Sequence, residues 1–255
     1  MNQLIIEKTD ASLFTYKVVY DAGTAPNPYA GVCTLAICKP AIRSTAKGGD
    51  IVVGLEPGNS GRVIYCMQVT DKKPWDEYIE LCTNSSASAR MGHPEYAQVG
   101  KKVPGKITDQ GDCIWYGSAV RNKVRASHSG HGLEHFVNDI EGNRFVLLST
   151  RFWYFGKGDR FKIYLPEMPL PGRGHRSKSN KSYMDQFINS FNEQLMLKSI
   201  EGFGVMGKPD VPPEMAERSK CSRCRVEERD NDSIDEEHEI ISSYLAAPSK
   251  SIANF

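Results

Sequence analysis

The segment from residue 21 to residue 50, DAGTAPNPYAGVCTLAICKPAIRSTAKGGD, predicts three kinds of local structure end to end. It begins as a loop in which Pro26 and Pro28 push the preceding residues into extended conformations, so the loop is stiffer than its length implies. The run 33–38 is short and apolar, which favours a buried strand. Pro40 then suits the first position of a short helix over 40–46, which ends at a Gly-Gly pair. We therefore expect a rigid loop, a buried strand and a basic helix start in succession.

The same segment carries polar and cationic side chains suited to ligand binding. A stiff loop holds Asp21, Thr24 and Asn27 in place, so less conformational entropy is lost when a ligand binds. The alternative is an ordinary turn, in which Asp21 and Asn27 bond to their own backbone. Lys39, Arg43 and the N–H groups of the helix start form a candidate phosphate site. The alternative for these two cations is a solvated position on the surface.

Strand patterns lie on both sides of a middle region that is rich in Gly, Ser and His. Apolar, aromatic and β-branched residues predict strands over 13–19, 51–55, 63–69, 144–155 and 161–164. The turn signal at 57–59 predicts a hairpin between the second and third of these strands. A short helix is expected over 75–82, with Pro74 at its start.

The clearest helical pattern comes late in the chain. Apolar residues recur there at helical spacing, at Met184, Phe187, Ile188, Phe191 and Leu195. Ser182 and Asp185 approximate a capping box, and Gly202 follows the expected end of the helix. The predicted fold class is α+β: a curved mixed sheet or a small β-barrel, with peripheral helices and one long C-terminal amphipathic helix.

Charge and cysteine content narrow the class of protein. The chain has seven cysteines, an odd number that argues against a secreted disulfide framework, so we expect a cytoplasmic protein with reduced thiols. No apolar run is long enough to span a bilayer and the first residues lack a signal-peptide pattern, so we expect no membrane association. Residues 206–255 hold 7 Lys and Arg against 11 Asp and Glu. The sequence thus predicts a domain over 1–204, then a linker and acidic tail over 205–255 that is a candidate contact for a protein partner.

A histidine cluster offers a different kind of site. His128, His131 and His135 lie within eight residues together with Glu134, and Asp139 follows. Imidazoles and carboxylates bind Zn²⁺ or act as general acids and bases near neutral pH. The alternative is a polar loop, because the glycines at 130 and 132 oppose a helix. If the chain is an enzyme, the candidate catalytic residues are His131, His135 and Asp139.

Three further patterns leave alternatives open. Cys221 and Cys224 form an isolated CxxC, whereas structural zinc needs four ligands. The basic run 173–181 either contacts phosphates or is solvated. Strand alternation over 152–155 places one pair of aromatic residues in the core and leaves the other as a stacking platform for a base. No Walker, Rossmann, GxSxG or HExxH motif occurs, which argues against the common nucleotide-hydrolase and oxidoreductase classes. We expect no cofactor and no bound metal.

The segment 21–50 resembles the signature of the nucleotide modification associated domain 2 family. The shared pattern is Asp-x-Gly-x-Ala-Pro-Asn-Pro, then Cys-Thr-Leu-Ala-x-Cys-Lys-Pro-x-Ile-Arg, then Ala-x-x-Gly-Asp and a strand; these blocks occupy 21–28, 33–43 and 46–50. A weaker resemblance continues to about residue 165. The family is associated with gene neighbourhoods for DNA base modification in bacteria and phages. The order of elements is also similar to the β-barrel core of the PUA, ASCH and EVE domains, which bind nucleic acids or modified bases.

The resemblance favours a nucleotide- or modified-base-recognition domain linked to DNA base modification or phage defence. The expected partner is a nucleotide, or a nucleic acid containing a modified base. The expected binding residues are Asp21, Asn27, Thr34, Lys39, Arg43 and Tyr154. One alternative is an enzyme that acts on a nucleotide or modified base by acid/base chemistry, through Asp21, Asp139 or the histidine cluster. The other is a scaffold that binds proteins through its acidic tail.

Overall fold

The computed structural model describes Ile6 and residues 10–81 and 145–208, apart from positions 20, 22, 24, 29–30, 59, 76, 79–80, 158–160, 166–168 and 173. Two α-helices of this part are α1 (Pro40–Thr45) and α2 (Met184–Leu197), and a 3-10 helix at Lys178–Tyr183 leads into α2. The strands, in chain order, are β1 (Leu13–Lys17), β2 (Cys33–Leu35), β3 (Ile51–Leu55), β4 (Val63–Gln68), β5 (Asp71–Pro74), β6 (Phe145–Ser149), β7 (Arg151–Tyr154), β8 (His175–Arg176) and β9 (Gly204–Val205).

These strands form two sheets. The larger sheet has the order β8-β1-β3-β4-β7-β9, and the smaller one has the order β2-β6-β5. In the larger sheet β1 pairs with β3, and β7 with β9, in parallel, while the other neighbours are antiparallel. The described residues therefore form a mixed α+β fold with an open mixed sheet, and the PUA-like closed barrel is not present among them. The predicted β3–β4 hairpin is confirmed.

Different elements pack against the two faces of the larger sheet. On one face the aromatic side chains of α2 pack against it, with the rings of Trp153 and Phe191 5.3 Å apart, edge to face. On the other face lie β2, β6 and α1, whose residues Leu35, Ile42 and Leu147 pack against the larger sheet. Both faces of the central strands are buried, which explains why β3 and β4 read as nearly continuous apolar runs. No helix among the described residues is long and apolar enough to cross a membrane.

Helix α2 buries the five apolar residues whose spacing predicted a late helix. It is not a long C-terminal helix, however, because it has 14 residues and the chain continues to β9. The predicted capping box is wrong: the first cap position is Tyr183, which makes no side-chain capping bond. The helix ends at Leu197, with Lys198 as its C-cap, and not near Gly202. Ser199 has a φ of 51°, and the N–H groups of Ser199 and Ile200 bond to the carbonyls of Met196 and Leu195, which is the Schellman pattern.

The short helix predicted over 75–82 and the strand predicted over 161–164 have different outcomes. Trp75, Glu77, Tyr78 and Leu81 are helical, in line with the short helix expected there. The predicted strand over 161–164 is instead a single bridge between Tyr164 and Arg62.

A row of three tyrosines and one glycine crosses the centre of the larger sheet. Tyr16 in β1 is opposite Gly54 in β3, Gly54 is opposite Tyr65 in β4, and Tyr65 is opposite Tyr154 in β7. Residues opposite each other share a face, so the three phenol rings lie in the layer between the two sheets. A Cβ atom on Gly54 would lie 2.6 Å from Val18 Cγ2 and would also overlap the Tyr65 ring. The row therefore needs a residue without a side chain at position 54.

We predict that Gly54→Ala lowers the free energy of unfolding by about 1–3 kcal/mol, because the added methyl group displaces the buried Tyr65 ring. Urea denaturation followed by circular dichroism measures this change. Gly48→Ala is the matched control, since Gly48 is exposed and an added methyl group there would meet nothing within 4 Å. Its unfolding free energy should change by less than about 0.5 kcal/mol. Equal stability of the two variants would contradict the close packing at Gly54.

Candidate functional site

The loop that begins at Asp21 folds back onto β2. Asn27 and Thr34 exchange two backbone hydrogen bonds of 2.9 and 2.8 Å, and both residues are buried. The Ala25–Pro26 peptide bond is cis, and Gly23 and Gly31 have φ angles of 73° and 74°. Glycine tolerates these angles at little cost. The predicted stiff loop is thus a bridge to β2, and it holds Asn27 and Thr34 next to each other.

Asp21 is connected to the tyrosine row. The hydroxyl of Tyr154 donates a 2.7 Å hydrogen bond to Asp21 Oδ1, and both residues are buried. Farther along the row the hydroxyls of Tyr16 and Tyr65 lie 2.9 Å apart and form a second hydrogen bond. Asp21, Tyr16, Tyr65 and Tyr154, which we name the tyrosine–aspartate network, place polar groups inside an otherwise apolar layer.

Burial keeps the phenols of Tyr16 and Tyr65 protonated. Loss of solvation is the largest cause that raises the pKa of Tyr16 above its ordinary value, and nearby Cys38, Cys33 and Asp21 raise it further. The pKa of Tyr65 is also raised, mainly by burial and then by Tyr16. Tyr16 and Tyr65 therefore remain neutral and serve as a hydrogen-bonded pair inside the layer.

The aromatic run at the end of β7 does not form an exposed stacking platform. Phe152, Trp153, Tyr154 and Phe155 are all buried, each at 2% exposure or less. Phe152 and Tyr154 face the smaller sheet, while Trp153 and Phe155 face α2. Both pairs belong to the core because each face of the sheet is covered. The sequence suggested one free face, but it did not show the second layer.

Lys39 occupies an unusual backbone position just before α1. Cys38 and Lys39 have consecutive φ angles of 58° and 44°, both in the left-handed region. For residues with a Cβ atom this region costs roughly 1–2 kcal/mol per residue. The ammonium of Lys39 lies 4.9 Å from the centre of the Tyr16 ring, a cation–π distance, and the side chain is half-buried. The strained backbone thus places an amine above the tyrosine–aspartate network.

Arg43 lies inside the protein, which differs from the solvated position weighed as an alternative. Its side chain is fully buried, Nε donates to the Cys38 carbonyl at 2.8 Å, and Nη1 donates to the Phe145 carbonyl at 2.8 Å. These bonds join the turn before α1 to β6. Arg43 therefore supports the left-handed turn at Cys38 and Lys39 through the backbone.

The predicted short helix is present, but its start offers little to an anion. Pro40 has no N–H group, and the N–H groups of Ile42 and Arg43 bond to the Lys39 carbonyl. Asp50, from the Gly-Gly-Asp end of the segment, accepts hydrogen bonds from the backbone N–H groups of Ser12 and Lys47 at 2.7 and 2.8 Å. That part of the segment organises the turn before β3.

His175 is a residue that sequence reasoning did not single out. It is directly opposite Tyr16, so it extends the tyrosine row to the edge strand β8. Its ring lies 6.3 Å from that of Phe14, and it is half-buried. Burial is the largest cause that lowers the pKa of His175 below its ordinary value, and the charge of Lys39 is the second. Its place in the basic run 173–181 was the available signal, but the register with β1 depends on a long-range pairing.

The structure thus brings together several predicted site residues. Asp21 meets Tyr154, Asn27 meets Thr34, and Lys39 stands over Tyr16, whereas Arg43 bonds to the two carbonyls beside α1. Other predicted positions lie outside the described residues: Thr24, His128, His131, Glu134, His135, Asp139, Cys221 and Cys224. Within the described ranges, no group of three or more His, Cys, Asp or Glu residues is placed to hold a metal ion.

The fold and site define a mixed α+β domain that holds a tyrosine–aspartate network between two sheets, with Lys39 and His175 at its edge. The family model of nucleotide modification associated domain 2 matches residues 10–211. The chain belongs to this family, whose name links it to nucleotide modification. Neither the curated proteins nor the solved structures give a significant match. The matched span includes both sheets and every residue of the network.

We predict that Tyr154→Phe lowers the free energy of unfolding by about 1–3 kcal/mol, because it removes a donor from the buried Asp21 carboxylate. Tyr16→Phe is the matched control: it also removes one buried hydroxyl, but the partner that it leaves, Tyr65, is neutral, so the loss should lie at the lower end of that range. Urea unfolding of both variants gives the comparison. A smaller loss for Tyr154→Phe than for Tyr16→Phe would show that the bond to Asp21 is not the stronger one.

A pH titration tests the electrostatic effect of Lys39 on His175. In the native chain the pKa of His175 should lie below the ordinary value of about 6.5, and Lys39→Met should raise it because one of the two causes is removed. Since the folded-state pKa is depressed, the contribution of His175 to stability is present above the unfolded-state pKa and is lost as the pH falls through the folded-state pKa. Histidine ring resonances, assigned with His175→Gln, measure the shift. An unchanged pKa in Lys39→Met would place Lys39 away from His175.

Proposed function

We propose that the chain is a recognition domain for a nucleotide, free or within a nucleic acid, that carries a modified base. The observation that carries the proposal is the pair of left-handed residues Cys38 and Lys39. Strained residues of this kind persist where the surrounding structure holds them, and they concentrate at functional sites. The family name, which links the chain to nucleotide modification, supports a nucleotide as the ligand in this proposal.

The strained backbone at Cys38 and Lys39 supports a binding role for the Lys39 side chain. The hydrogen bond from Arg43 to the Cys38 carbonyl and the two backbone bonds to the Lys39 carbonyl hold the turn in place. The result is a half-buried ammonium above an aromatic ring, where water is partly excluded. A cation in such a place binds a phosphate more strongly than a fully solvated lysine does. In the proposal Lys39 binds the phosphate, and Arg43 positions Lys39.

In this proposal the base binds on the side of the site formed by the loop that begins at Asp21. Asp21, Asn27 and Thr34 are buried polar residues on the segment that bridges to β2. Polar groups in a water-poor place discriminate strongly, because a base that lacks the matching donor or acceptor leaves them unsatisfied. Tyr154 orients the Asp21 carboxylate. Such a site can distinguish a modified base from an unmodified one. The setting that we propose for it is DNA base modification or phage defence.

Binding measurements with the full chain test this function. We predict that isothermal titration calorimetry with a panel of unmodified and base-modified deoxynucleotides and short oligonucleotides identifies a ligand. Lys39→Met should weaken that binding about tenfold or more, the expected loss for a hydrogen bond to a charged group. The melting temperature should change little, since Lys39 is half-buried.

Lys47→Met is the matched control, because Lys47 is exposed just after α1 and the substitution removes the same charge. It should leave the affinity within about twofold of the native value. The proposal fails if no nucleotide or oligonucleotide binds, or if Lys47→Met weakens binding as much as Lys39→Met does.

A further inference from the structure

We infer that Lys39 and His175 together form a site for a phosphate monoester, the terminal phosphate of a nucleotide or of a strand end. The inference rests on the proposed function and deepens it, because it names the form of phosphate that the same site takes. It adds a residue, His175, and it distinguishes a terminal phosphate from the internal diesters of a nucleic acid strand.

The geometry places both groups around one tyrosine. His175 is the direct cross-strand partner of Tyr16, and the Lys39 ammonium lies 4.9 Å from the centre of the Tyr16 ring. The His175 ring is also near Phe14, two residues before Tyr16 on the same face of β1. The side chains of Lys39 and His175 are both half-buried, so each is open to a ligand while part of its solvation is lost.

The electrostatics of the pair favour a doubly charged ligand. Without a ligand, burial and the charge of Lys39 lower the pKa of His175, so the imidazole is neutral at pH 7. The titratable groups around it include Lys39 before α1 and Tyr16 in β1, which stays protonated; the Asp21 carboxylate acts on Tyr16 from the loop. An anion between Lys39 and His175 cancels the repulsion of the lysine and stabilises the imidazolium. Phosphate binding and proton uptake are therefore coupled at this site.

The charge balance selects the monoester. A phosphate monoester carries a charge of about −2 near pH 7 and has a second pKa near 6, which matches an ammonium and an imidazolium. A diester carries one negative charge, which Lys39 alone balances. It therefore stabilises the imidazolium form of His175 only weakly. The pair thus favours a free nucleotide or the phosphorylated end of a strand over the interior of a strand.

The test uses the full chain with methyl phosphate as the monoester and dimethyl phosphate as the diester. We predict that methyl phosphate shifts the His175 ring resonance and raises the pKa of His175, and that dimethyl phosphate does so much less. His175→Gln should weaken the binding of a nucleoside 5′-monophosphate about tenfold at pH 6, where the imidazolium contributes, and less at pH 8.

Arg176→Gln is the matched control, because it removes a cation from the neighbouring residue on the opposite side of β8. It should leave the affinity and its pH dependence near the native values. The inference is overturned if methyl and dimethyl phosphate shift the ring resonance and the pKa of His175 equally. It is also overturned if His175→Gln and Arg176→Gln weaken nucleotide binding equally. If Lys39→Met abolishes nucleotide binding but methyl phosphate leaves the His175 resonance and pKa unchanged, the proposed function stands and the monoester site is wrong. If no nucleotide binds at all, both fall.

Discussion

Buried tyrosine hydroxyls need hydrogen-bond partners, and this requirement governs the layer between the two sheets. Tyr16 and Tyr65 satisfy each other across β1 and β4, and Tyr154 reaches the loop residue Asp21. An unsatisfied buried hydroxyl costs about 1–3 kcal/mol, so these pairings fix the register of the central strands. A slip of one residue would turn the phenols toward α2, where the surrounding side chains are apolar. The loop at Asp21 is thereby tied to the sheet, and the position of the candidate site follows from the same bonds.

Arg43 connects this layer to the rest of the fold. Its hydrogen bonds to the Cys38 and Phe145 carbonyls join a turn before α1 to β6, across 102 residues of sequence. A buried guanidinium loses much solvation, and rigid, well-directed bonds are needed to offset that cost. The same bonds stabilise the strained residue Cys38 and hence Lys39. The interaction that joins the small sheet to the helix thus also determines where the amine of the site lies.

The sequence predicted the local features well, and the structure shows why the long-range ones were missed. Strand alternation, the short helix after Lys39 and the apolar face of α2 depend on neighbours in sequence, so periodicity and turn residues are enough to find them. The burial of Arg43 and of Tyr154 depends on partners 102 and 133 residues away. No local pattern encodes such a partner. The position of His175 opposite Tyr16 has the same origin, because the register of an edge strand is set by the sheet that it joins. The Schellman end at Ser199 was missed for a different reason: glycine is the usual residue there, and serine gives no comparable signal.

The described residues at positive φ are glycines and three residues that have a side chain, Cys38, Lys39 and Ser199. Where the described backbone only has to turn, the chain uses glycine, as at Gly23, Gly31 and Gly49, which have φ angles of 73°, 74° and 90°. Ser199 is explained by the end of α2. Cys38 and Lys39 have no such explanation, and glycine at position 39 would form the same turn at lower energy. A lysine there places an ammonium over Tyr16, where its charge also lowers the pKa of His175. Under the proposed function, the side chain of Lys39 has to be positioned for a ligand, and backbone strain of this kind is typical of residues at functional sites.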